Sequence, residues 1–115
     1  MQAHERIIFA PSSAVINEDS ARLLDRIAEI MLACPSTQFR IEGHTDSQGS
    51  ESVNLAISTA RAESVLDALL IRGVFLNRME ARGFGEASPI ADNDTETGRA
   101  LNRRIEFSAI DGDTP

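Results

Sequence analysis

An α/β (α+β) two-layer sandwich, with helices packed on one face of a mixed sheet in the order βαβαββ, is the fold this sequence predicts. Three observations predict it. Apolar residues recur at helical spacing from Leu23 to Cys34 and again through a long stretch from about Glu51 to Arg72. Between and after these stretches, Gln38–Gly43 and Arg104–Ser108 alternate polar and apolar side chains, the period of a half-buried strand. Strands and helices therefore alternate along the chain, and helices that bury one stripe need a sheet face to bury it against.

Each element has its own signals. Arg6–Ala10 reads as a short first strand, closed by Pro11-Ser12-Ser13. Asn17 is an N-cap candidate, with Glu18 and Asp19 favourably placed in the first turn. Leu23, Leu24, Ile27, Ile30, Met31 and Cys34 then form one apolar face, and Pro35 stops the helix. The second strand, Gln38–Gly43, leads through Ser47-Gln48-Gly49-Ser50 into the long helix. Gly73 is that helix's C′ residue, and Val74 takes the place of the Schellman hydrophobic contact. Met79–Phe84 is a third strand, Gly85–Thr97 a surface loop, Gly98–Leu101 a single turn and Arg104–Ser108 the last strand. One domain over residues 7–109 and a polar tail over 110–115 are expected.

A chain of 115 residues can bury a core without disulfides or metal. Its net charge of −7 argues against nucleic acid or an anionic membrane surface as the main partner. The eleven basic residues are all arginine. Cys34 is the only cysteine, which excludes an internal disulfide and a thiolate metal cluster, and it reads as a packed small side chain. No run of apolar residues is long enough to span a bilayer, so no direct membrane insertion is expected, and no signal peptide opens the sequence.

The chemistry concentrates at Asp46 and Arg61. The second strand delivers Asp46 to a loop, and the helix that follows can carry Arg61, fifteen residues on, back towards it. A carboxylate and a guanidinium held near each other, without consuming each other, can bind the ammonium and the carboxylate of an amino-acid head group. On the long helix, Leu55, Ala62, Leu66 and Leu69 define the expected core stripe, and Asn54, Ser58 and Arg61 a polar strip along its edge. Such a strip either lines a groove or is a solvated flank; spacing alone leaves both open. The rival chemistries are weaker. Ser58 is a mid-helix serine without a nucleophile elbow, so His44, Asp46 and Ser58 do not make a hydrolase triad. His44 is read as a partly buried residue bonding the loop backbone. Two histidines forty residues apart make a poor metal site, Gly83-Phe-Gly85 lacks the third glycine of a dinucleotide loop, and Asp92-Asn93-Asp94 lacks EF-hand spacing. No catalysis, cofactor or metal is expected.

Gly43-His-Thr-Asp46, Gly49, Asn54-Leu55, Ser58 and Arg61-Ala62 resemble the central signature of the OmpA-like domain, the peptidoglycan-associating module of bacterial envelope proteins. Gly73-Val74, Gly83-Phe-Gly85-Glu86, Pro89, Asn93 and Gly98-Arg99-Ala-Leu-Asn102-Arg103-Arg104-Ile-Glu106 continue the resemblance in order, over about residues 7–109. It implies binding to the diaminopimelate of the peptidoglycan stem peptide, with Asp46 meeting the ammonium and Arg61 the carboxylate. Thr45 and Asn54 would be polar supports, and Arg103 would reach a carboxylate of the peptide. Ser12 stands about where the family often has an asparagine, and Pro11 replaces an aromatic, so the first loop departs from the pattern. The implied setting is the periplasm, as part of an outer-membrane or envelope-anchored protein. Asp46 and Arg61 are read as rim residues, and Asp46 suits the free amine of an uncross-linked stem. A protein-interaction or oligomerisation module in an envelope or motor-stator assembly is the alternative, and a homo-oligomer is compatible with either reading.

Overall fold

A computed structural model describes residues 6–9 and 13–110. The regular elements are α1 (Ala21–Ala33), β1 (Phe39–His44), α2 (Glu51–Ile71), β2 (Met79–Gly85), α3 (Glu96–Asn102) and β3 (Arg104–Ala109). Strand β1 is central: it pairs parallel with β2 and antiparallel with β3, giving the order β2-β1-β3. Leu23, Leu24, Ile27, Ala28 and Met31 of α1 join Ile41 of β1 and Ala62, Val65 and Leu69 of α2 in one buried cluster. Both long helices thus cover the same face of a mixed sheet, and each such side chain contributes roughly 1.5–3 kcal/mol on burial.

Local signals explain most boundaries. The Asn17 side chain accepts from Asp19 N at 2.9 Å and opens a 3-10 turn, Glu18–Ser20, that runs into α1. At the other end of α1, the Arg78 guanidinium donates to the carbonyls of Met31 and Cys34, adding to the bonds these accept from Cys34 N and Thr37 N. Helix α2 starts at Ser50, whose hydroxyl accepts from Val53 N at 3.2 Å. It ends in the expected Schellman motif: Gly73 N donates to Leu70 O at 3.0 Å and Val74 N to Leu69 O at 3.1 Å. Gly73 has φ +99°, open to glycine at little cost, and Val74 is buried against the core.

Several expectations are corrected. Among the described residues, the first strand expected over Arg6–Ala10 is represented by one antiparallel bridge, Phe9 to Ile16. Its hydrogen-bonding capacity is spent locally, because Ile8 N donates to Ser20 Oγ at 2.8 Å and Ile8 O accepts from Asn17 N at 2.7 Å. Ala10, Pro11, Ser12 and the 111–115 tail lie outside the described residues. Ile30 is exposed on α1. Cys34 is exposed too, because α1 ends at Ala33 and the chain leaves helical geometry at Cys34 (φ −122°, ψ 67°), off the periodic face. The turn expected at Gly98–Leu101 is a full helix, α3, capped by the Thr95 hydroxyl accepting from Gly98 N at 3.0 Å.

The largest correction concerns α2. Its buried stripe is Asn54, Ser58, Ala62, Val65 and Leu69, and Leu55 is 50% exposed. The strands explain this. A Cβ added at Gly43 would stand 2.1 Å from Ser58 O, and one added at Gly83 would stand 2.2 Å from Thr59 Oγ1. Glycines in β1 and β2 let the first half of α2 rest almost backbone to backbone on the sheet, where only small or locally bonded side chains fit.

Candidate ligand-binding cleft

Beyond β1 the chain is held as a rigid corner. Thr45 N donates to Gly85 O at 2.8 Å, and Gly85 N donates to the Ser58 hydroxyl at 2.9 Å. Gly85 itself has φ +57°. Ser58 also donates to Leu55 O at 2.9 Å and has no exposure. It is neither of the two alternatives left open for the polar strip, a groove-lining residue or a solvated flank, but clamps the end of β2 to α2. Asn54 supports the same corner. Its Nδ2 donates to Gln48 O at 2.9 Å and Glu86 Oε1 at 3.0 Å, and lies 3.3 Å from Asp46 O. Thr45 Oγ1 donates to Asp46 O at 2.8 Å.

These bonds present Asp46 at the floor of a cleft of about 680 Å³. Arg61 and Ile57 of α2 form one side, Arg103 and Ala100 the other, and the Arg6–Phe9 segment a third wall. Thr45, Asp46, Asn54, Arg61 and Arg103 are thus brought together, as expected from sequence; Ser12 falls outside the described residues. Asp46 is not on an exposed rim, because it is only 7% exposed. One oxygen accepts from Gln48 N at 3.0 Å and the other from Arg103 Nη1 at 2.7 Å. Arg103 also donates through Nη2 to Glu96 Oε2 at 2.8 Å, so its guanidinium bridges two carboxylates. Those bonds, Glu96 first and Asp46 second, raise the Arg103 pKa above its ordinary value, and the Arg103 bond lowers that of Glu96.

Arg61 is fixed differently. Its Nε donates to Ser13 O at 2.7 Å, and the guanidinium lies over the Phe9 ring, 4.9 Å from the centroid. Burial, and then the nearby charge of Arg103, lower its pKa from the ordinary arginine value; an arginine side chain stays protonated in proteins all the same. The cleft therefore holds a carboxylate and two guanidiniums close enough to feel each other, an arrangement that an anion entering between the arginines would relieve.

Asn102 is the structural residue the sequence reading passed over. Wholly buried, it accepts from Ile90 N at 2.7 Å and Ala91 N at 3.0 Å, and donates to Ala91 O at 3.0 Å and Asn93 Oδ1 at 2.7 Å. It pins the loop before α3 and so the helix that presents Arg103. Its place in the Gly98–Arg104 run was the available signal. His44 is buried and stacks on Phe84, with centroids 5.2 Å apart, and its Nε2 lies 3.3 Å from Glu42 Oε1. It bonds this side chain instead of the loop backbone expected. Burial first, then the Arg104 charge, lower its pKa below 6.5 against the opposing effect of Glu42. Among the described residues, Glu42, His44 and Glu106 bring donor atoms within 4.8 Å on the sheet face away from the helices. Arg104 Nε is bonded to Glu106 there, and a resident guanidinium opposes a metal cation.

The class is a mixed α/β sheet covered by helices, with an acid beyond its central strand facing two arginines from flanking elements across one cleft. The chain belongs to the OmpA family, whose model matches residues 8–103. It is 38% identical over 102 residues to the probable lipoprotein YiaD of Escherichia coli, covering 89% of this chain and 47% of that protein. With the peptidoglycan-binding protein ArfA of Mycobacterium bovis it is 40% identical over 101 residues, 88% of this chain and 31% of the relative. The crystal structure of the peptidoglycan-associated lipoprotein from Burkholderia pseudomallei superposes with a TM-score of 0.83 at 32% identity, covering 91% of this chain and 90% of that one. The chain thus spans about half or less of the length of these two curated relatives. No helix among the described residues is long and apolar enough to cross a membrane.

Proposed function

We propose that this domain binds peptidoglycan non-covalently through the diaminopimelate of the stem peptide and so anchors a larger envelope protein to the cell wall. The binding domain is residues 7–109, with 110–115 a tail, and the setting is the periplasmic side of the envelope, as part of an outer-membrane or envelope-anchored protein. Relatives whose names state peptidoglycan binding or association support wall anchoring in general. The observation that carries the finer reading is the juxtaposition of Asp46 with Arg61 and Arg103 in one cleft.

In this reading the stem ammonium approaches Asp46, whose orientation is already set by Gln48 N and Arg103. A carboxylate oxygen has two lone pairs, so the ammonium can share Asp46 with Arg103 without expelling it. The diaminopimelate carboxylate meets Arg61, held in place by Phe9 and Ser13. Arg103 steadies Asp46 and faces a second oxygen of the ligand. Thr45 and Asn54 act through the corner they build. A lysine-type stem keeps the ammonium but gives Arg61 nothing to bind. Losing such a charge-assisted bond costs about 1.5–3 kcal/mol, one to two decades in affinity. One weak site suffices for anchoring, because the wall is a polymer that presents many stems. A protein-interaction or oligomerisation role without wall binding would leave this charge arrangement without a use.

Co-sedimentation with purified sacculi tests the proposal. The 115-residue chain should pellet with diaminopimelate-type sacculi and stay largely in the supernatant with lysine-type ones. Asp46→Asn, which keeps an acceptor for Gln48 N, and Arg61→Gln should each abolish pelleting while remaining folded. Equal pelleting with both walls, or by either variant, would contradict it.

A further inference from the structure

One cleft wall holds a charge that the amine-and-carboxylate pair does not use. Among the described residues, three arginines (Arg6, Arg61 and Arg103) line the cleft against one acid, Asp46, in a chain whose net charge is −7. Arg103 is balanced by Asp46 and Glu96. A ligand carrying one ammonium and one carboxylate engages Asp46 and Arg61 and makes no use of Arg6. A guanidinium on the wall of a cleft attracts an anionic group of whatever occupies that cleft.

Arg6 is placed to receive one. Its Nη1 donates to Ala100 O at 2.7 Å, which fastens the guanidinium to α3 one turn before Arg103. That bond occupies one N–H of a five-donor fork, and the remaining donors retain the planar geometry that suits a carboxylate. Phe9, which carries Arg61 on its ring, stands three residues further along the same wall, at most ~10 Å of chain away. Arg6 and Arg61 thus line the same cleft from different elements, with Ile7 and Ile8 also on its wall.

We propose that Arg6 forms a second anion subsite of the cleft, taking a carboxylate of the bound stem peptide other than the one held by Arg61. The proposal rests on the stem-peptide reading above and extends it: the domain distinguishes stems by the number of their free carboxylates as well as by their diamino acid. Amidation of a stem carboxylate, which removes the charge but preserves the shape, weakens binding when it falls on the group that Arg6 reads.

The test is calorimetric titration of the 115-residue chain and its Arg6→Gln and Arg6→Lys variants with a set of diaminopimelate muropeptides. One ligand has all carboxylates free, one is amidated at the glutamate carboxylate, and one at the diaminopimelate carboxylate. Arg6→Gln should weaken the free-acid ligand about tenfold, Arg6→Lys less, and one amidated ligand should bind wild type and Arg6→Gln alike. An equal loss for all three ligands would mean that the Arg6–Ala100 bond only ties down the chain, and no loss would mean that Arg6 does not meet the ligand. Either result overturns the subsite while leaving the Asp46–Arg61 reading standing. Failure of wild type to bind any of the three ligands overturns both.

Discussion

Gly43→Ala should damage the cleft without altering any group that faces a ligand. The added Cβ would stand 2.1 Å from Ser58 O and 2.8 Å from Ser58 C, backbone atoms that cannot rotate away. Restoring ordinary contact requires α2 to retreat from β1 by about 1 Å or more. Overpacking of this kind costs ~1–3 kcal/mol, and rigid backbone on both sides places it at the upper end. Restricting the unfolded chain returns ~0.4–1 kcal/mol, for a net destabilisation of about 2 kcal/mol. In a domain of this size that is a fall in Tm of roughly 10 °C. Because Asn54 and Arg61 ride on α2, the retreat also pulls them from the Asp46 corner, and muropeptide affinity should fall about tenfold or more. Urea unfolding and calorimetric titration read the two effects separately. A variant melting within ~2 °C of wild type, with unchanged affinity, would refute the claim that glycine-mediated contact sets the cleft.

Three further outcomes are expected. Arg61→Lys keeps the charge but loses the planar fork and its stacking on Phe9, so affinity for diaminopimelate ligands should fall about tenfold in titration, with little change in Tm. His44 is held neutral by burial, so its contribution to stability is present above pH 6.5 and is lost as pH falls through 6.5 toward its lowered folded value. Tm should therefore drop between pH 7.5 and 5.5 in wild type and much less in His44→Phe; a wild-type Tm that is flat or rises on acidification would contradict this. Asn102→Ala strands the Ile90 and Ala91 amides and should cost about 3 kcal/mol in urea unfolding, with faster amide exchange at both positions; a loss below ~1 kcal/mol would show that water replaces the side chain.

The parts of this fold that were legible in sequence are those set by local chemistry. The cap at Asn17, the Schellman motif at Gly73-Val74 and the alternation of β1 and β3 each follow from a few neighbouring residues. The misreadings share another cause. Hydrophobic periodicity placed Leu55 inside and left Ser58 on an edge, yet Ser58 is the buried one, because Gly43 and Gly83 bring α2 onto the sheet. Periodicity along one element cannot report how close another element comes. The first strand failed similarly, since Ser20 and Asn17 compete for the hydrogen bonds of Ile8. At the cleft, sequence identified Asp46, Arg61 and Arg103 but not the pairing of Asp46 with Arg103, fifty-seven residues away. That contact depends on the Asn102 network that aims α3. Arg6 carries no motif and becomes visible only once the wall it stands on is assembled.

The central claim is that the cleft recognises an amine and a carboxylate on one residue of the stem. An NMR titration with diaminopimelate muropeptide, run beside its lysine counterpart, tests it most directly. The account predicts saturable shifts at Thr45, Asp46, Asn54, Arg61 and Arg103 with the first ligand, and at least tenfold weaker ones with the second. Shifts of equal strength with both ligands, or none at these residues, would contradict it.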